Sequence, residues 1–259
     1  MRTLAPLALL LAPALAGAAD VQTKEVTYKQ GDTELTGFFA WDGQAKGKRP
    51  GVVVVHEWWG HNEHARNQAK RLAQAGYVGF ALDMFGKGKV TTHPPEAQAF
   101  MAEATKDPQL AKARFLAALD VLSKDAHVDA QKTAAIGYFF GGAVVLSMAR
   151  LGVDLDAVVS FHGALGVLPP VAPGGVKARV LVLNGADDPM ITRDQVAAFK
   201  KDMDAARANY TFVDLEHARH SFTNPDADKV GMPALAYDAA ADKASWDAML
   251  RLFAEVFGK

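Results

Sequence analysis

Hydrophobic positions change period repeatedly along this chain, with short apolar runs alternating with stretches in which apolar residues recur every three or four positions. Residues 25–28 and 34–41 are rich in strand formers and flank the turn dipeptide Gly31-Asp32. They predict an antiparallel hairpin at the edge of a sheet. Beyond a Gly- and Lys-containing connection, Gly51-Val52-Val53-Val54-Val55 is an unbroken β-branched run, the pattern of a parallel strand covered on both faces. Ala65, Ala69, Leu72 and Ala73 then fall at helical spacing within 62–75, Gly76 ends the helix, and 77–84 reads as the next strand of a β-α-β unit. Helices are predicted over 95–105 and 108–122, the first entered through Pro94-Pro95-Glu96. Apolar strands follow at 156–161 and 179–184, separated by a Pro/Gly-rich surface loop over 169–175. A helix over 192–206, a strand over 209–216 and a closing helix over 239–257, with Trp246, Leu250, Phe253 and Phe257 on one face, complete the pattern. The alternation predicts one α/β domain over 20–259, doubly wound on a mostly parallel sheet with an antiparallel start.

The first stretch reads differently. Met1-Arg2 is a positive start, 4–16 is apolar, and Ala16-Gly17-Ala18 offers small residues for cleavage. This predicts a secretory signal peptide over 1–19 and an exported chain, periplasmic or secreted, maturing near Ala19 or Asp20. The run is short for a span and is interrupted by Pro6 and Pro13, so no membrane association is expected after cleavage. The 259 residues are 50% hydrophobic and carry a net charge of −1, enough for one sizeable core. Lys and Arg are scattered, which leaves no electrostatic footprint for nucleic acid and turns attention to small ligands. With no cysteine, disulfides do not hold the fold.

The candidate chemistry centres on 133–146, where an apolar strand runs into Gly137-Tyr138-Phe139-Phe140-Gly141-Gly142 and then into a helical pattern. That is the layout of a nucleophile elbow, whose middle residue projects from the carboxyl end of the sheet. Here the middle residue is Phe139, and a phenyl ring attacks nothing. Ligands of doubly wound sheets bind beyond the carboxyl ends of the strands. Four such ends carry polar or aromatic signals: Glu57-Trp58, Phe139, Asp187-Asp188-Pro189, and the segment from His217 to Phe222 that contains His220. The order nucleophile position, acid, histidine is that of an α/β-hydrolase triad.

Five stretches taken together resemble the dienelactone hydrolase family of α/β-hydrolases: 54–60 (VVHEWWG), 82–86 (LDMFG), 136–142 (IGYFFGG), 185–189 (GADDP) and 219–225 (RHSFTNP). The resemblance covers nearly the whole chain after the signal. It implies that Asp188 is the triad acid, His220 the base and Glu57 a carboxylate contacting the resting nucleophile. By the same resemblance the backbone N–H groups of Trp58 and Phe140 form the oxyanion hole. The family has Cys where this chain has Phe139, which separates fold from activity.

Each position has a plainer reading. Asp187-Asp188-Pro189 also suits a turn and helix cap, and Glu57 suits an ion pair with a nearby Arg or Lys. His217 is read as structural, and Trp58 and Trp59 as core and pocket wall. His56, Glu57, His61, Glu63 and His64 are dense, with His61 and His64 at i, i+3 if the helix has begun, yet their spacing matches no zinc motif. No metal and no cofactor are therefore expected. Ser147 and Ser221 lie off the corner. Two functions remain open: an exported hydrolase of small carboxylic esters or lactones, altered at Phe139, or a silent homologue binding a small molecule or partner in the same pocket. The sequence carries no signal for oligomeric state.

Overall fold

The computed structural model describes residues 19–258, so the expected signal peptide, apart from Ala19, lies outside the described residues. An eight-stranded sheet runs in the order β1-β2-β4-β3-β5-β6-β7-β8. β1 (Val21–Gln30) and β2 (Thr33–Asp42) form the antiparallel hairpin around Gly31, whose φ of 56° is left-handed. β2 is not an edge strand, contrary to the sequence-based expectation: it also pairs antiparallel with β4 (Val78–Leu82) through Phe38, Phe39 and Ala40. These residues are buried, and β1 alone carries the edge on this side.

The remaining strands are β3 (Arg49–Val55), β5 (Val128–Tyr138), β6 (Ala157–Phe161), β7 (Arg179–Gly185) and β8 (Tyr210–Leu215). They pair in parallel with one another and with β4, as right-handed β-α-β crossovers require of a doubly wound sheet. The helices are α1 (Glu63–Gln74), α2 (Pro94–Thr105), α3 (Pro108–Ser123), α4 (Phe140–Arg150), α5 (Arg193–Ala205) and α6 (Ala239–Phe257).

The unbroken valine run of β3 has a two-sided explanation. Val53 and Val55 join a core with Phe115 and Leu122 of α3, Val144 and Met148 of α4 and Phe199 of α5. Val52 and Val54 join the opposite core with Ala69 and Leu72 of α1 and Leu252 and Phe253 of α6. A strand covered on both faces has no polar side to show. Side-chain caps set the entries of α1 and α5: Asn62 accepts from the Ala65 N–H, and Thr192 and Gln195 form a reciprocal capping box. Because Asn62 is the cap, α1 starts at Glu63 and His61 lies outside it, so His61 and His64 do not share a helical turn. Among the described residues, no helix is long and apolar enough to cross a membrane.

Candidate active site

β5 ends at Tyr138 and α4 begins at Phe140, which leaves Phe139 alone on the corner. Its φ of 48° and ψ of −106° are angles that side-chain-bearing residues adopt only under strain, at a cost of about 1–3 kcal/mol. The glycines around it answer to close approach. A methyl on Gly137 would run into the Gly141 carbonyl, and one on Gly141 into the Val55 carbonyl of β3. The turn closes because these backbones touch where no Cβ fits.

Phe139 is 7% exposed, and its ring meets the His220 ring edge-on with centroids 4.5 Å apart. Trp58 packs on the same ring at 5.4 Å, which makes Trp58 part of the wall around the corner. His220 is fully buried in the loop after β8; its Nδ1 hydrogen-bonds Asp188 Oδ2 at 2.7 Å. Asp188 follows β7, and its other oxygen accepts from the Met190 N–H at 2.8 Å. Nδ1 therefore carries the proton shared with Asp188, and Nε2 is left as the nitrogen able to take a proton from a reacting group. Among the described residues Nε2 has no hydrogen-bond partner.

Glu57 is 1% exposed and forms no ion pair among the described residues. Two neutral donors hold its carboxylate: Ser221 Oγ at 2.9 Å and Asn224 Nδ2 at 2.7 Å. The alternative partner, an Arg or Lys, is not needed because the neighbouring loop supplies charge-assisted hydrogen bonds instead. Ser221 does have a left-handed backbone, φ 57°, but its hydroxyl is turned to Glu57; the Ser147 hydroxyl is turned to Ala143 O. His217 is exposed beside Asp187, 3.8 Å away. The Phe140 N–H opens α4 and has no acceptor within the helix, and Trp58 stands two residues before Gly60, just past the end of β3.

In the dense histidine cluster, His56 is held by backbone on both ring nitrogens. His56 donates from Nδ1 to its neighbour's carbonyl, Glu57 O, and accepts at Nε2 from the Met84 N–H, tying the ends of β3 and β4 together. Glu63 pairs with Lys70 on the surface, and burial lowers both His61, to about 3, and His64. Among the described residues, no three His, Asp or Glu side chains are grouped to hold a metal.

A model of the dienelactone hydrolase family matches residues 35–257. The chain belongs to the dienelactone hydrolase family. Among solved structures, this family member is similar to a dienelactone hydrolase-like promiscuous phosphotriesterase from metagenomic libraries, with 39% identity and a TM-score of 0.85 over 91% of this chain and 98% of the other. Among curated proteins it is 29% identical to a Salmonella typhimurium protein named as a candidate carboxymethylenebutenolidase, over 89% of this chain and 86% of that one. It is 26% identical to protein usf of Aquifex pyrophilus over 89% and 97% of the two chains.

One residue of this dienelactone hydrolase family site escaped the sequence reading. His162 directly follows β6, is fully buried, and has a φ of 40°. The Phe139 N–H is shared between Phe161 O at 3.1 Å and His162 Nδ1 at 3.2 Å, while His162 Nε2 faces Thr223 Oγ1 at 2.8 Å. That pattern puts the proton on Nε2. Burial, with His220 nearby, holds His162 well below the usual histidine range, so it stays neutral and serves as an acceptor. Its signal was its place at a strand's carboxyl end, the same signal that marked Glu57, Asp188 and His220.

Proposed function

We propose that the site is that of a hydrolase of small carboxylic esters or lactones with Phe139 standing in the nucleophile's place, so that the chain as written binds such molecules without turning them over. The observation that carries the reading is the buried Asp188–His220 pair in ring contact with Phe139 on a strained corner. An acid, a base and a corner residue in this order and contact are what acyl transfer requires. Family membership supports the hydrolase reading of the site, and the phenyl ring in the nucleophile's place supports the reading without turnover.

With a cysteine at the corner the reaction runs as follows. The thiol gives its proton to His220 Nε2, and the sulfur attacks the acyl carbon. The oxyanion is received by N–H groups, for which Phe140 and Trp58 are the candidates. The alcohol leaves with the proton returned by His220. Water, deprotonated by the same nitrogen, then attacks the thioester and frees the acid and the thiol. Asp188 holds the imidazole tautomer and stabilises the imidazolium throughout. Glu57, in the same loop cluster as His220, fixes Ser221 and Asn224 and thereby the loop.

The test is Phe139→Cys, assayed beside the parent and Phe139→Cys/His220→Ala on carboxylic esters, enol-lactones and a phosphotriester. The parent should show at most the residual acceleration, about 10³–10⁴ over water, that a serine protease retains without its triad. Phe139→Cys should add His220-dependent turnover. A folded Phe139→Cys that is silent across the panel moves the protein to the second reading, a binding protein, which the ring filling the corner favours. The same proposal includes export, carried by the basic, apolar and small-residue pattern of residues 1–19.

A further inference from the structure

Beside the corner lies a cavity of about 480 Å³, within the range of roughly 300–1,000 Å³ typical of small-molecule sites. It is bounded by α2, α3, α4 and the loop after β6, and Phe139 forms part of its wall. Not one lining side chain is charged. The only two hydroxyls, Thr105 and Ser147, each donate to a carbonyl one turn back in their own helix, to Met101 O and Ala143 O, both at 2.8 Å. Neither has a proton left to offer a ligand. Lys112 is turned to Leu151 O and is not among the lining residues.

The polarity of α4 sharpens this. Its first N–H groups, the positive end of the helix dipole, lie at the Phe139 corner, where a reacting carbonyl belongs. The cavity wall extends away from that end through Ala143, Ser147 and Leu151, toward the carbonyl end, which disfavours a second negative charge. At the loop after β6 the lining includes Val167, 81% exposed, which carries apolar surface outward.

We propose that this cavity receives an uncharged hydrophobic group of the ligand, of phenyl or short alkyl size, and discriminates against ligands that carry a carboxylate. The inference deepens the proposed function and rests on that reading for the corner, but it can be tested without catalysis. A carboxylate placed along Ala143, Ser147 and Leu151, away from the corner, finds no free side-chain donor and no cation, and an unpaired buried charge is far costlier than an unpaired neutral group. A phenyl group is well within its capacity, since a dry apolar cavity of about 150 Å³ already holds benzene.

Two pairs of probes test it. Binding of ethyl phenylacetate and of phenylacetate to the parent protein is measured by calorimetry at neutral pH; the ester should bind at least about tenfold more tightly. Thr105→Arg, at an exposed position on the lining, should raise the affinity for phenylacetate and leave that for the ester little changed. In Phe139→Cys, kcat/KM for diethyl succinate should exceed that for monoethyl succinate by about tenfold or more, because the monoester presents a carboxylate where the diester presents a second uncharged ester. Equal binding of the first pair, no binding of the ester, or no gain for phenylacetate in Thr105→Arg overturns the inference. A silent Phe139→Cys with ester-selective binding by the parent removes the hydrolase reading and leaves this one standing. Equal turnover of both succinates does the reverse.

Discussion

Replacing Phe139 by glycine should leave a more stable protein than replacing it by alanine, the opposite of what these residues do in ordinary buried segments. Either substitution removes a phenyl ring that is 7% exposed and packed on Trp58 and His220, a loss of about 3–5 kcal/mol for a buried Phe. The ring borders an open cavity, which places both variants toward the lower end of that range. They differ in the backbone. Alanine inherits φ 48°, ψ −106° and the strain of about 1–3 kcal/mol that goes with it, whereas glycine adopts these angles freely. Against this stands glycine's larger loss of chain entropy on folding, about 0.5–1 kcal/mol. The difference favours glycine by about 0–2.5 kcal/mol after subtraction, centred near 1. Urea denaturation of the parent and both variants, fitted with a shared slope, resolves a gap of this size. If alanine proves the more stable of the two, Phe139 is not on a strained corner and the elbow description fails with it.

Acid should destabilise the fold in a defined window. His56, His61, His64 and His162 are buried and held below the ordinary histidine value of 6.5, chiefly by burial, His61 to about 3. The unfolded chain takes up protons below pH 6.5 that the folded chain refuses, so stability is full above that pH and falls below it, by up to about 1.4 kcal/mol per pH unit for each histidine. The contribution of His61 continues down to about pH 3; a urea midpoint unchanged between pH 7.5 and pH 5 refutes this. Intact-mass measurement of the protein from its native host should show a chain beginning near Ala19 or Asp20, and a full-length chain retaining Met1 would defeat the export proposal.

What the sequence revealed, and what it hid, follows from the range of the interactions involved. The valine run of β3, the Gly31 turn and the glycines around Phe139 are local signals, and each marks its element directly. The interior place of β2 depends on β4, whose pairing partners lie some forty residues away and leave no mark on the hairpin's own pattern. The partners of Glu57 are hidden for the same reason: Ser221 and Asn224 are 164 and 167 residues distant and neutral, so charge matching points instead to Arg or Lys. His162 is a single polar residue at the exit of a short apolar strand, and only the folded sheet shows it receiving the corner's N–H. The spacing put Asn62 inside the helical segment 62–75, and only the observed geometry makes it the cap, fixes the first turn of α1 and separates His61 from His64.

The tie between Glu57 and the loop after β8 bears on how the protein breathes. β8 is the far edge of the sheet and none of its residues is fully buried, so on its own it belongs to the class of elements that fray and exchange their amide hydrogens early. His220 rides on the loop that leaves this strand. Glu57, anchored at the middle of the sheet beyond β3, grips that loop at Ser221 and Asn224, so peeling β8 away exposes a carboxylate stripped of both donors. The periphery thereby borrows the rigidity of the centre: amides around 220–224 should exchange more slowly than those of β8 itself, which keeps the imidazole in register when the strand that leads to it opens.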